Sequence, residues 1–347
     1  MLGRFERAIP LVAGSLVIGM VTLAVFSPPE LRTSRPSAVL ANHASQFFLE
    51  PGQALPDGLI QVNTPGNVTE GIVEGIILQP TGQHSANALD EAFDRLGYNL
   101  DAISNEGAFV PRIFLASLPK DLNKVRRTEK RKAIFFRSVL PLVLQANEEI
   151  IFDRKRLLRL HTQIQKGQKL DAVDRLWLIV LSERYKVQRG EIEALIARVD
   201  IVPPSLALAQ AAEESGWGTS RFSRVGNAIF GEWTFSTSDS VIPRQRDKGK
   251  RHRIKVFKSL LHSVRAYVRN LNSHRAYREF RIKRHTQRRQ GTVIRGGALV
   301  DTLTRYSERG EKYVKSLRDI MVGNKLERLD EARLGQGAQA SRAASKI

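Results

Sequence analysis

Two adjacent carboxylates, Glu213 and Glu214, close an alanine-rich run and are followed at once by Ser-Gly-Trp-Gly. A carboxyl group held where ionisation is unfavourable can deliver a proton to a leaving oxygen, so the pair is a candidate general acid. The preceding residues say how such a group would be held. Pro203 and Pro204 come before Ser205, an N-cap candidate, and Ala207, Ala209, Ala211 and Ala212 are strong helix formers that let neighbouring elements approach closely. Gly216 supplies the stop. The glutamates therefore fall in the last turn, where the negative end of the helix dipole disfavours a further negative charge. Adjacent helical positions diverge by about 100°, so the two face different ways, and helix geometry alone does not say which enters a cleft.

A glutamate pair at a helix end is ordinarily two solvated side chains. Its company argues otherwise. Trp217 stands between two glycines, and a second block, Asn227-Ala228-Ile229-Phe230-Gly231, follows closely. Aromatic faces and exposed main-chain groups are what recognise sugar rings, so the whole stretch from Leu206 to Trp233 has the layout of a carbohydrate-cleaving site.

The chain resembles the glucosaminidase family of peptidoglycan hydrolases, which includes the hydrolase domain of flagellar rod-assembly proteins. The residues that carry the resemblance are AQAAEESGWGTSRF (209–222), NAIFG (227–231), VFKSLLHSVRAYVRNLNSHRAYREFR (256–281) and LTRYSERGEKYVKSL (303–317). Upstream, RKAIFFRSVLP (131–141) and ARVDIVPPS (197–205) resemble the segment that precedes the enzyme domain in some members. The resemblance spans residues 130–325 and leaves out the first hundred or so. It implies that the general acid is the glutamate directly before Ser-Gly-Trp-Gly, here Glu214. The tyrosine opening the family's late Tyr-Ala-Thr-Asp word matches Tyr306 in Tyr306-Ser307-Glu308-Arg309, which would hold the substrate's acetamido group or stabilise charge near the reacting carbon. Asn227, Phe230 and Gly231 correspond to the family's Asn-Leu-Phe-Gly on the cleft floor, with Trp217 a further substrate-binding residue.

One departure matters. Flagellar-type relatives carry a second glutamate on a β-hairpin lobe after this word, whereas the stretch TFSTSDSVIPRQRDKGKRHRIKVFKS (234–259) has none. Asp239 and Asp247 are its only carboxylates and Glu232 lies just before it, so no second catalytic carboxylate is assigned and two-carboxylate hydrolysis is not supported by identifiable residues. Assistance by the substrate's own N-acetyl group stays open.

The elements that must position these residues follow from the rest of the chain. At 347 residues and 42% hydrophobic content it can bury a full core. From Asn87 onward helical patterns dominate, with apolar stripes at Leu157, Leu158, Leu160 and Ile164 and at Leu176, Ile179, Val180 and Leu181, and with Trp177 expected in the core. The expected class is mainly α (α+β): a lysozyme-like catalytic domain with a small β-lobe, as the resemblance implies, preceded by a helical region and an N-terminal transmembrane segment. The expected boundaries are an anchor or signal at 1–27, a linker at 28–85 with a short strand at 71–78, a helical region at 86–199, the catalytic domain at 200–325 and a disordered tail at 326–347.

Ala8 to Phe26 forms an apolar run of about 19 residues, long enough to cross a bilayer. No small-x-small cleavage site follows it directly, which favours an uncleaved anchor over a signal peptide. Arg4 and Arg7 favour a cytoplasmic N-terminus, so a single-pass inner-membrane protein with a periplasmic catalytic domain is expected. The net charge of +20 implies an anionic partner. Basic runs at 244–255 and 278–290 would meet nucleic-acid phosphates in another setting, but for an exported protein acidic glycan peptides or phospholipid heads fit better and nucleic acid is not expected. No HExxH, phosphate-loop or dinucleotide word occurs, and no cofactor is expected.

The reading is an endo-β-N-acetylglucosaminidase acting on peptidoglycan glycan strands. A lytic transglycosylase is the nearest alternative, since that group also has a helix ending in Glu-Ser; its usual Gly-x-x-Gly-Leu-Met-Gln word is replaced here by NAIFG. A non-catalytic wall-binding scaffold is the alternative from another class.

Overall fold

The computed structural model describes residues 59–61, 76–80, 85–234, 240–241 and 253–335. The chain divides into residues 1–53 and 54–347, and the first unit, with the apolar segment 8–26, lies outside the described residues. Asp239, Asp247 and the basic cluster at 244–251 lie outside them as well. Among the described residues no helix is long and apolar enough to cross a membrane.

The structure is mainly helical. Helices α1 (Ala86–Arg95) and α2 (Leu100–Glu106) lead to the 38-residue α3 (Thr128–Gln165). Ser85 and Asn99 cap the first two by accepting backbone N–H bonds, as short polar side chains at helix starts do. In α3 the run from Ile134 to Asn147 is buried on every side, including Pro141, which costs the Arg137 carbonyl its helical partner. Helices α4 (Ala172–Tyr185) and α5 (Ile192–Arg198) follow, then α6 (Pro204–Ser215), whose residues from Leu206 to Ala212 are all completely buried. Beyond it come α7 (Arg221–Gly226), α8 (Leu260–Ser273), α9 (Arg278–Arg289), α10 (Gly296–Leu299) and α11 (Glu311–Gly323). Leu260, Val264, Tyr267, Val268 and Leu271 put one face of α8 into the core, and Tyr313, Val314, Leu317 and Met321 do the same for α11.

Among the described residues the strands form two small sheets. Strand β1 (Leu59–Gln61) pairs antiparallel with β2 (Ile76–Pro80), which pairs parallel with β3 (Ile113–Leu115). The short strand expected at 71–78 overlaps β2, and β1 adds a second strand within the segment expected as linker. Between α7 and α8, β6 (Arg253–Lys255) lies between β4 (Trp233–Thr234) and β5 (Ser240–Val241), antiparallel to both.

A single apolar core joins the helices before and after residue 200, bringing Phe135, Leu142 and Leu157 together with Leu206, Tyr267 and Tyr313. The fully buried Arg284 of α9 ties the two parts further, donating to the carbonyls of Ala197, Asp200 and Ile201 and to Asn272 Oδ1 at 2.6 Å. The expected apolar stripes are half right. Leu157, Leu160 and Leu181 are buried, whereas Leu158, Ile164, Leu176 and Val180 are exposed, and Trp177 is only half-buried beneath the Arg156 guanidinium at 4.6 Å. Leu158 and Val180 sit one helical step, about 100°, round from the buried Leu157 and Leu181, a direction that a list of apolar positions does not specify.

The start of α6 departs from expectation. Ser205 is not the N-cap; Pro203 holds that position and the helix begins two residues earlier than expected, at Pro204. Proline suits that position because its missing N–H would be unpaired there anyway. Capping comes instead from Asp330, which accepts from Ser205 N at 2.8 Å, Ser205 Oγ at 2.9 Å and Gly296 N at 2.9 Å. A Cβ on Gly296 would fall 2.2 Å from Ser205 Oγ, so only glycine lets α10 come this close.

The disordered tail expected from residue 326 does not begin there. Leu326, Leu329 and Leu334 are buried, and the ordered chain continues at least to residue 335. Residues 336–347 lie outside the described part.

Burial pushes the Asp330 carboxyl up to about 6, against the pull of its three hydrogen bonds. The folded form thus binds this proton more tightly than the unfolded chain does, so the associated stabilisation is complete below about pH 4 and is lost as the pH rises through about 6. That loss should be on the order of 3 kcal/mol. Asp330→Asn removes the titration and should flatten the stability profile between about pH 4 and about pH 7, as read from denaturant midpoints. An unchanged slope would show that Asp330 does not titrate in this window.

Candidate active site

The end of α6 is shaped by the Ser-Gly-Trp-Gly word itself. Ser215, fully buried, donates from Oγ to the Ala211 carbonyl at 2.5 Å and accepts the Gly218 N–H at 2.8 Å. Gly216 takes the left-handed conformation that stops the helix, and Trp217 and Gly218 also have positive φ. A Cβ on Gly218 would lie 2.6 Å from Leu118 Cδ1, with Leu122 and Phe135 close behind. These requirements hold the last helical turn, and with it Glu214, at one place on the core.

Four tyrosines enclose that carboxyl. Tyr267 of α8 donates its hydroxyl to Gln210 Oε1 at 2.7 Å, and Gln210 Nε2 donates to the Tyr313 hydroxyl at 3.0 Å. The Tyr313 hydroxyl in turn acts on the Glu214 carboxyl and favours its ionised form. The chain Tyr267–Gln210–Tyr313 runs in one proton direction. Tyr306 stacks on Tyr313 with ring centroids 5.6 Å apart and lies 5.8 Å from Tyr277. Gly231, at φ +63°, is near enough that a Cβ there would lie 3.6 Å from Glu214 Oε2.

Glu214 is half-buried, and burial raises its carboxyl above the usual range. The Tyr313 hydrogen bond opposes this, neighbouring Glu213 adds to it, and Arg309 opposes it. The tyrosines are themselves kept protonated by burial: Tyr277 is raised to about 12, and Tyr267, Tyr306 and Tyr313 are raised as well. The arrangement is a carboxyl biased towards its protonated form and surrounded by hydroxyl donors, which suits proton delivery to a leaving oxygen. Among the described residues no group of three His, Asp or Glu side chains could hold a metal ion.

Residues 191–326, which contain this whole constellation, match the family described as mannosyl-glycoprotein endo-beta-N-acetylglucosaminidase. Protein bax of Escherichia coli (strain K12) is 35% identical over 204 residues, covering 57% of this chain and 71% of that protein. The chain belongs to the glucosaminidase family. No solved structure matches it. Membership in the glucosaminidase family suggests a glycan hydrolase.

Of the residues expected at a glucosaminidase site, Glu214, Tyr306, Phe230 and Gly231 are brought together. Phe230 is buried and stacks on Tyr267 at 3.8 Å, and its carbonyl accepts the Tyr306 hydroxyl at 3.4 Å. Trp217 packs elsewhere. Its ring meets Phe135 and Phe136 of α3 edge-on at 6.1 and 5.3 Å, with Lys132 Nζ 5.3 Å over its face. Asn227 ends α7 in the left-handed conformation and donates from Nδ2 to the Phe257 carbonyl at 3.1 Å, so it holds the turn that delivers Phe230. Glu232 pairs with Lys255 Nζ at 3.5 Å.

Gln210, Tyr267, Tyr277, Tyr313 and Arg309 were missed by the reading of the sequence. Gln210 carried a signal, since it lies one helical turn before Glu214 on the same face and is the one polar residue in the buried stretch Leu206–Ala212. The tyrosines carried none beyond lying in the matching blocks.

The 3.4 Å bond from Tyr306 is long, so Tyr306→Phe should cost little stability, under about 1 kcal/mol. If its hydroxyl contacts the reacting sugar, turnover should fall by roughly tenfold while KM changes less. A large drop in melting temperature with normal turnover of the folded fraction would instead make Tyr306 structural.

Proposed function

We propose that this glucosaminidase-family protein is a peptidoglycan hydrolase, an endo-β-N-acetylglucosaminidase that cleaves glycan strands with Glu214 as general acid. The observation that carries the reading is the half-buried Glu214 carboxyl, raised by burial and supplied with a hydroxyl by Tyr313, inside the segment that matches the family. The Tyr313 hydroxyl acts on the carboxyl as a donor, which leaves the carboxyl's own proton for the glycosidic oxygen of N-acetylglucosamine. Tyr306, protonated by burial and near the Phe230 carbonyl, would donate to the acetamido group or to charge at the reacting carbon.

The same proposal includes a lysozyme-like arrangement of helix and β-lobe about the cleft. It also includes the N-terminal apolar segment as a single inner-membrane anchor with the catalytic domain in the periplasm, where stem-peptide carboxylates match the chain's net charge of +20.

The test is digestion of isolated sacculi by the purified full-length protein, followed by analysis of the products. New reducing N-acetylglucosamine ends are the expected result. Ends in 1,6-anhydromuramic acid would make the protein a lytic transglycosylase. Binding without any new ends would make it a wall-binding scaffold.

A further inference from the structure

Beside the candidate acid lies an ion pair that the chemistry above does not use. The Glu213 carboxylate and the Arg309 guanidinium are in direct hydrogen-bond contact, Glu213 mostly buried and Arg309 half-exposed. Arg309 also stands 5.4 Å over the ring of Tyr313, the tyrosine that bonds Glu214. Exposed pairs of this kind contribute little to stability, so its place rather than its strength calls for an explanation.

We propose that the Glu213–Arg309 pair is a positioning device for the general acid, a balance of opposite charges that sets the pH at which Glu214 delivers its proton. It rests on the reading of Glu214 as that acid. Glu213 is adjacent to Glu214 on α6, and its negative charge disfavours ionisation of its neighbour; Arg309 favours it. While the two are paired, their fields at Glu214 largely cancel. The other titratable groups facing Glu214 are Tyr313 from α11, Tyr267 from α8, Tyr277 from the turn before α9, and Tyr306. Burial keeps all four neutral near pH 7, so among the described residues Glu213 and Arg309 are the formal charges acting on the acid there. Because Arg309 is half in solvent, its charge can be altered without opening the core.

The experiment uses the full-length protein and two readouts. Infrared titration of the protonated carboxyl band, identified by its absence in Glu214→Gln, reports the Glu214 midpoint without requiring turnover. Sacculus cleavage against pH reports the basic limb. Arg309→Gln should move both to higher pH, and Glu213→Gln should move both to lower pH. The double variant should return towards wild type, and Arg309→Lys should stay near it. At a fixed pH on the limb the single variants should differ from wild type by roughly two- to fivefold, in opposite directions.

Unmoved midpoints in folded single variants, or shifts in the same direction, would overturn the proposal. Should Arg309→Gln fail to fold, the Glu213→Gln midpoint decides alone: downward supports it, unmoved overturns it. If wild type cleaves nothing, the reading of the protein as a hydrolase fails, while the infrared midpoints still decide whether the pair controls Glu214.

Discussion

Glu214→Gln should reduce cleavage of sacculi by about 10²- to 10⁴-fold, the usual worth of general acid catalysis, with fold and wall binding intact. The amide keeps the size of the side chain and can still meet the Tyr313 hydroxyl, but it has no proton to give. Stability should not fall. A group whose proton is held more tightly in the folded state destabilises the fold as the pH rises through its folded value, and Glu214 is such a group. The amide escapes that loss, so the variant should melt at or above the wild-type temperature at neutral pH and above. Glu213→Gln, by contrast, should cost only severalfold in rate, since its carboxylate is occupied by Arg309. If the two phenotypes were exchanged, Glu213 and not Glu214 would be the acid.

Gly218→Ala should have the largest effect on stability, roughly 2–4 kcal/mol. Two costs combine there. The backbone has φ +75°, which a side chain disfavours, and the new methyl would enter at 2.6 Å from Leu118 Cδ1 and 3.1 Å from Leu122 and Phe135. All three neighbours are fully or almost fully buried, so none can swing away into solvent. Denaturant unfolding measures the loss. A second consequence follows at the site, because the Gly218 N–H is held by Ser215, the residue after Glu214. Turnover of the folded fraction should fall as well. A variant as stable as wild type would mean that the Leu118 region repacks without strain.

The parts of this site that were legible in the sequence are those fixed by local backbone chemistry. A run of alanines, a paired glutamate and a glycine predict a helix, its last turn and its stop, and α6 ends at Ser215 with Gly216 left-handed. The choice of Glu214 over Glu213 needed the resemblance; the tyrosine cage is what the structure places around Glu214. The cage was not legible, because Gln210 meets Tyr267 57 residues away and Tyr313 103 residues away, and no local pattern encodes such contacts. Trp217 illustrates the opposite difficulty. Its residue type suggests a sugar platform, but the direction of its ring is set by a positive φ and by Phe135 and Phe136, which are remote in sequence. Ser205 looked like a cap for want of any hint that Asp330 would supply one.

That cap has a practical corollary. The segment recognisable by kinship stops at residue 326, four positions short of Asp330. Anyone excising the family domain at its homology boundary would discard the carboxylate that moors α6 at its far end. Three donors, Ser205 N, Ser205 Oγ and Gly296 N, would then be orphaned in the interior. The buried leucines at 329 and 334 would go with it. The functional unit of this protein is thus longer than the stretch that reveals its ancestry.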